Sequence, residues 1–297
     1  MNILDLKEYI KGKRVLHTTH KLSDCDGIAS IYWGINVYGG DYYIPRPELR
    51  SGEGLLDYLN LKTDNNINVD SYDIYFIYDT SNYEDIDFIS LENKEYVIFD
   101  HHSKINEDFV SNSVFAYINK ASANVINLYE LSIKNSIHLK DEILLSFATA
   151  LYTDTLMFRT AREKEFYYFS KFIKNKKFED ILNIIYSKNI DQKDFINSLK
   201  DLKFYKIKDL IVSVGNFNNV NQYQAFLDGL LDVLGIDVSI GILPLGIKVQ
   251  VKKIHVQKVY HQLLVPLQKK LNIKKQQGIW LNFFDYRSIL NALKSYK

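Results

Sequence analysis

Four short apolar runs near the start of the chain constrain its fold more than any other feature. They are Arg14–Thr19, Tyr42–Ile44, Asp73–Tyr78 and Tyr96–Phe99. Each has strand length, and stretches of helical periodicity follow over residues 27–38, 123–132 and 141–156. Strands alternating with helices imply an α/β class, a parallel-sheet N-terminal domain with helices on both faces. Sheets of this kind open their binding crevices at the carboxyl ends of the strands. Residues 178–208 read as a polar, helical connector rich in Lys and Asp. A second alternation follows: strand 210–214, helix 222–234, strand 238–243, a hairpin partner 247–254, helix 256–271, strand 279–284 and a short terminal helix. The expected organisation is a domain over 1–180, a helical linker over 181–207 and a smaller α/β domain over 208–297.

Composition narrows the setting. The chain has 297 residues, 46% hydrophobic and 25% charged, with a formal net charge of +1. It therefore has no global field for or against polyanions, and phosphate or nucleic-acid binding must come from a local patch. No run approaches the roughly 18 apolar residues of a membrane span. Charges within MNILDLKEYIKGK argue against a signal peptide. The one cysteine, Cys25, cannot form an intrachain disulfide, so a reducing, cytoplasmic setting is expected.

Chemistry gathers at the strand ends. The first run leads into His20, Asp24, Cys25 and Asp26, the third ends at Asp79, and the fourth ends in Asp100-His101-His102. The helix from Asp141 passes through Thr153-Asp154-Thr155. Taken singly, Asp24-Cys25-Asp26-Gly27 reads as a turn and Asp79-Thr80-Ser81 as a helix cap. Jointly these groups need a positive counterpart, because clustered carboxylates raise one another's pKa. Mixed Asp and His donors suit divalent ions such as Mn²⁺, and a shared carboxylate can bridge two of them.

The series H-x3-D-x-D-G-x2-S (His20 to Ser30), D-T-S (Asp79 to Ser81), D-H-H (Asp100 to His102) and T-D-T-x2-F-R (Thr153 to Arg159) resembles the four motifs of the DHH phosphoesterase superfamily, in order, over residues 12–165. Ala121-Ser122-Ala123 resembles the family's small-residue capping stretch. The resemblance implies two divalent metal ions, Mn²⁺ foremost, with Mg²⁺, Co²⁺ and Zn²⁺ as alternatives. It implies that His20 and Asp24 hold one ion, that Asp26, His101 and Asp154 hold the other, and that Asp79 bridges them. A water between the ions would be the nucleophile, Asp100 would orient an imidazole, and His102 would face the substrate phosphate or assist the leaving group. Arg159 is either a phosphate contact or a surface residue. His17 is expected to pack or support the ligands rather than bind metal, and Cys25 to be inert.

Within the superfamily, T-D-T-x2-F-R is most similar to the nanoRNase and cyclic-dinucleotide phosphodiesterase group. The second domain of that group carries a Gly-Gly-Gly-His loop. Here the corresponding stretch, Asn272 to Trp280, has one glycine and no histidine. Lys274 and Lys275 could supply charge in its place, with Lys252, Lys253 and His255 replacing the family's basic strand residue. Trp280 or Phe283 could stack a base, since stacking is worth about 1–3 kcal/mol. The alternatives are a solvated face for the lysines and a packed core for the aromatics. The resemblance implies a two-metal phosphodiesterase of short single-stranded oligonucleotides or dinucleotides, with no membrane partner and a homodimer left open. Two other readings stand beside it. One is a pyrophosphatase, exopolyphosphatase or phosphomonoesterase. The other is a DHH-derived binding or partner subunit.

Overall fold

The structure is a computed structural model that describes residues 3–63, 67–244, 246–270, 279–281 and 285–295. It divides into two compact units, Met1–Lys188 and Asn189–Lys297. The first is built on strands β1 (Val15–Thr19), β2 (Asp41–Tyr43), β3 (Ile74–Tyr78), β4 (Glu95–Asp100) and β5 (Phe115–Ile118). They pair in the order β2-β1-β3-β4-β5, and every pairing is parallel.

Both faces of this sheet are covered, as its continuous apolar strands require. Along β3, Ile74, Phe76 and Tyr78 join the core on one face, and Tyr75 and Ile77 join the core on the other. Along β4, Val97 and Phe99 alternate with Tyr96 and Ile98 in the same way. The first core is closed by the helices Cys25–Tyr38, Asn124–Lys134 and Asp141–Asp154. Trp33 spans two of them, and its buried indole N–H donates to Ser132 Oγ at 2.8 Å.

The strand order fixes where a ligand can enter. From β1 the chain steps outward to β2, then returns past β1 to form β3. The reversal lies between β1 and β3, and open α/β sheets bind ligands at the carboxyl ends of such neighbours. His20 follows β1 and Asp79 follows β3.

Two elements of this unit lie outside the sequence expectations. Strand β5 is an edge strand whose residues are all at least partly exposed. The helix Arg50–Tyr58 contains Gly52 and Gly54, both poor helix formers. Gly54 is there for close packing, since a Cβ at that position would lie 2.0 Å from the Ile184 carbonyl oxygen of a crossing helix.

The second unit holds a five-stranded mixed sheet: β6 (Lys203–Ile207), β7 (Leu210–Asn216), β8 (Val238–Leu243), β9 (Gly246–Val251) and β10 (Ile279–Leu281). Its order is β10-β9-β8-β7-β6, with only β7 and β8 parallel. The residues expected as a helical connector differ from that reading. They form helices Phe178–Ile185 and Gln192–Lys200, then strand β6. Ile181, Ile184 and Ile185 are buried in the core of the first unit. Strand β6 is an edge strand with three of its five residues exposed, so its Lys-rich sequence looks like linker. Strand β9 stops at Val251, short of the expected Ile254: one more cross-strand bond, from Lys252 N–H to the Asp237 carbonyl, follows it, and residues 253–255 then form a tight turn closed by His255 N–H on the Lys252 carbonyl. The next helix begins as a π-helix over Val256–Leu264, ahead of Pro266, whose ring disfavours ordinary α-helical turns before it.

Candidate metal centre

Each strand end delivers its donor through a local device. After β1, Ser23 N–H and Oγ–H both donate to the His20 carbonyl, at 3.0 and 3.2 Å, closing a turn that returns the chain to Asp24. Asp24 caps the helix Cys25–Tyr38, its Oδ1 accepting from the N–H groups of Asp26 (3.0 Å) and Gly27 (3.1 Å). Asp26 falls in the first turn of that helix and is fully buried. Asp79 ends β3 in the left-handed region, φ +59°, a conformation Asp tolerates better than most residues. Strain of this kind collects at functional sites. His101 donates from Nδ1 to the Ala121 carbonyl at 2.9 Å, which turns Nε2 toward the carboxylates. Asp154 is the last residue of its helix.

These six residues converge. His20 Nε2 lies 3.4 Å from Asp79 Oδ2 and 3.6 Å from Asp24 Oδ1. His101 Nε2 lies 3.1 Å from Asp79 Oδ1 and 3.6 Å from Asp26 Oδ2. Among the described residues, His20–Asp24–Asp79 and Asp26–His101–Asp154 each offer ligand atoms within 4.8 Å of one another. A third such group, Asp79–His101–His102, shares members with both.

The donors fit divalent cations. Asp79 Oδ1 is buried and makes no hydrogen bond, although His101 Nε2 faces it at 3.1 Å. Donor atoms crowded without hydrogen-bond alignment are what a shared ion leaves. The charge balance agrees. Burial, then the Asp79 charge, pushes Asp26 up to about 8, despite two backbone N–H groups, of Asn124 and Val125, on its oxygens. Burial, then Asp26, Asp24 and Asp79, holds Asp154 well above the carboxylate range. His101 is raised to about 10 by Asp79 and Asp26, against the effect of burial. Two imidazoles do not balance four carboxylates, and a mixed Asp/His set suits ions such as Mn²⁺ without naming which.

Asp100 and His102 make a separate pair. Asp100 Oδ1 accepts from His101 N–H (2.8 Å), His102 N–H (3.3 Å) and His102 Nδ1 (2.7 Å). His102 is half-exposed and its Nε2 carries no hydrogen bond among the described residues. The hydrogen bond to Asp100 raises its pKa, with burial opposing. Arg159 is exposed, five residues beyond Asp154. Cys25 is buried, and burial followed by the Asp24 charge pushes its thiol up to about 12, too high for a nucleophile. His17 is fully buried among aromatic residues, as its strand position suggests.

In the second unit, Lys252 pairs with Asp232 at 3.9 Å and His255 with Asp237 at 3.1 Å. Lys253 sits on the tight turn after β9, and Trp280 on β10. Lys274, Lys275 and Phe283 lie outside the described residues. Two supports escaped the sequence reading: the Ala121 carbonyl under His101, and the backbone N–H groups of Asn124 and Val125 on Asp26. The small residues Ala121-Ser122-Ala123 were their only trace.

Solved structures of the same architecture include an exopolyphosphatase-related protein from Bacteroides fragilis. It superposes with a TM-score of 0.73 at 14% identity, over 99% of this chain and 96% of that one. The chain has a DHH-like fold. A Methanococcus jannaschii protein assigned to the family II inorganic pyrophosphatases aligns with a TM-score of 0.53 at 16% identity, over 94% of this chain and 98% of that one. No family model and no curated protein matches the chain. Among the described residues, no helix is long and apolar enough to cross a membrane.

Proposed function

We propose that this DHH-fold protein is a two-metal-dependent phosphoesterase acting on phosphodiester bonds of short oligonucleotides or dinucleotides. One observation carries the two-metal reading: Asp79, buried with an unbonded Oδ1, stands between two His/Asp groups that each fit a divalent ion. His20 and Asp24 would hold one ion and Asp26, His101 and Asp154 the other, with Asp79 shared. Divalent ions bound there supply Lewis acidity and a water acidic enough to attack phosphorus near neutral pH.

The chain's own groups do the rest. The Ala121 carbonyl holds His101 Nδ1–H, so Nε2 stays a donor atom toward the cluster. Asp100 holds His102 Nδ1–H, so the exposed Nε2 is the end free to touch substrate. With its pKa raised by Asp100, His102 keeps a proton to place on a phosphoryl oxygen or a departing alkoxide. The nucleotide preference rests on the T-D-T-x2-F-R motif ending at Arg159.

A second reading, hydrolysis of pyrophosphate or polyphosphate, is favoured by the names of the two superposing structures, one exopolyphosphatase-related and one assigned as a pyrophosphatase. The deciding experiment is product formation with Mn²⁺ on pApA, a five-nucleotide RNA, a cyclic dinucleotide, pyrophosphate and a nucleoside bisphosphate. Mononucleotides released from pApA or the RNA support the first reading. Phosphate from pyrophosphate alone moves the protein to the second. Metal binding with no turnover on any of them points to a binding or partner subunit.

A further inference from the structure

Directly after Asp154 the backbone does something costly. Leu156, Met157 and Phe158 are consecutive and all left-handed, with φ of +52°, +56° and +65°. None is Gly, Asn or Asp, the residues that visit this region without much strain. The turn is tied down at every step. Met157 N–H bonds the Tyr152 carbonyl at 2.8 Å, Phe158 N–H bonds Thr155 Oγ1 at 3.3 Å, and Arg159 N–H bonds the Leu156 carbonyl at 3.2 Å.

Packing accounts for two of the three side chains. Met157 and Phe158 lie against the core, and Phe158 meets Tyr152, Phe166 and Phe169 at centroid distances of 5.1, 5.1 and 4.7 Å. Leu156 is different. It is 47% exposed and belongs to no apolar cluster of the described residues. A glycine would satisfy the same backbone without strain, so packing gives no reason for a leucine here. Its Cα lies within roughly 7 Å of that of the ligand candidate Asp154, the reach of two residues. Arg159, three residues on and joined to Leu156 by the 3.2 Å bond, is exposed on the same turn.

We propose that this left-handed turn selects for the organic part of a substrate: Leu156 packs against the ribose or base of a nucleotide whose phosphate lies at the Asp79 cluster. The inference rests on the two-metal phosphoesterase reading and deepens it, since a bare phosphate or pyrophosphate offers Leu156 nothing to cover. An exposed apolar side chain two residues from a ligand candidate suits a nucleoside phosphate, which joins an apolar surface to an anion.

The test compares binding of AMP and of inorganic phosphate to the Mn²⁺-loaded full chain, for wild type, Leu156→Gly and Leu156→Asn, by calorimetry. Both substitutions tolerate the left-handed backbone, and both remove the apolar side chain. AMP binding is expected to weaken about tenfold in both, as loss of part of a leucine contact would give, while phosphate binding stays within about twofold. Tm should be unchanged or higher. Equal losses for AMP and phosphate, unchanged AMP binding, or a loss in the glycine variant alone would overturn the proposal. So would a wild type that binds AMP no more tightly than phosphate, and that outcome leaves the two-metal reading standing. If wild type takes up no Mn²⁺, both fall.

Discussion

Asp100 Oδ1 lies 2.7 Å from His102 Nδ1, while the neighbouring imidazole, His101, turns its Nδ1 to the Ala121 carbonyl and its Nε2 to Asp79. Adjacent histidines are thus held for different tasks. One presents a ring nitrogen to the carboxylates, and the other presents Nε2 outward. His102→Ala should lower kcat by ~10²–10⁴-fold, the usual contribution of a general acid, with bound Mn²⁺ near the wild-type level. His101→Ala should lose metal. Parallel metal analysis and kinetics on the two variants check this. Equal metal loss in both would place His102 among the ligands, in the Asp79–His101–His102 group.

In the proposed two-metal reading Asp79 is shared, so its charge should matter more to metal than to folding. Asp79→Asn keeps a side chain that accepts φ +59° and removes one of four crowded carboxylates. Its Tm in EDTA should equal or exceed that of wild type. Wild type should gain stability with Mn²⁺, about 2.7 kcal/mol at a hundredfold excess over Kd, and the variant should gain little. Hydrolysis should drop by at least ~10²-fold, since even indirect supports of metal ligands are worth ~10–100-fold. Melting curves with and without Mn²⁺ decide the matter, and an undiminished Mn²⁺ shift in the variant would falsify the shared role.

Three donors of the candidate site, His20, Asp79 and His101, were legible because they stand at the ends of the apolar runs that form β1, β3 and β4. Asp24, Asp26 and Asp154 lie at a helix cap, in a first helical turn and at a helix end, and they joined the candidate ligand set through the resemblance to the DHH motifs. What supports them was not legible. The Ala121 carbonyl and the Asn124 and Val125 N–H groups are backbone atoms, and every residue has those. The left-handed turn over Leu156–Phe158 is equally silent, because propensity argues against it and only its surroundings enforce it. In the fold, β6 was missed because a Lys-rich edge strand buries too little for an apolar run to mark it, and β5 was missed although Phe115–Ile118 is as apolar as the edge strand β2 that was read. The helix Arg50–Tyr58 was hidden by the glycines that allow its close crossing.

Gly34 reports on how tightly the sheet and its covering helix are joined. A Cβ there would lie 2.0 Å from the Tyr78 hydroxyl and 2.7 Å from His17 Nδ1, both deeply buried. Neither group has room to retreat, because the two are hydrogen-bonded to each other. Gly34→Ala should therefore destabilise the protein by about 1–3 kcal/mol, as overpacking does, even though alanine is the better helix former. Urea unfolding measures it. A stabilised variant would show that the helix Cys25–Tyr38 can shift off the sheet without cost.

The same two side chains predict a pH dependence separate from the metal cluster. His17 is fully buried, and Nε2 lies 2.7 Å from the Gly39 carbonyl, which only accepts, so Nε2 carries the proton. Nδ1 then accepts from the Tyr78 hydroxyl at 2.8 Å, and the neutral ring satisfies both contacts. Burial lowers the His17 pKa from 6.5 to about 4, outweighing the Gly39 hydrogen bond. The unfolded chain therefore binds a proton that the folded chain refuses as pH falls below 6.5. Stability should be independent of His17 above that pH and decline below it, by about 2 kcal/mol between about pH 7 and pH 5. His17→Gln should be less stable at neutral pH, having lost a fitted ring, yet its unfolding free energy should fall about 2 kcal/mol less over the same interval. The difference between the two urea-unfolding series removes the contribution of the carboxylate cluster, which both proteins share. Parallel pH profiles for wild type and variant would mean that the folded protein accepts a proton on His17, and that the Tyr78 hydroxyl gives up its hydrogen bond to let it in.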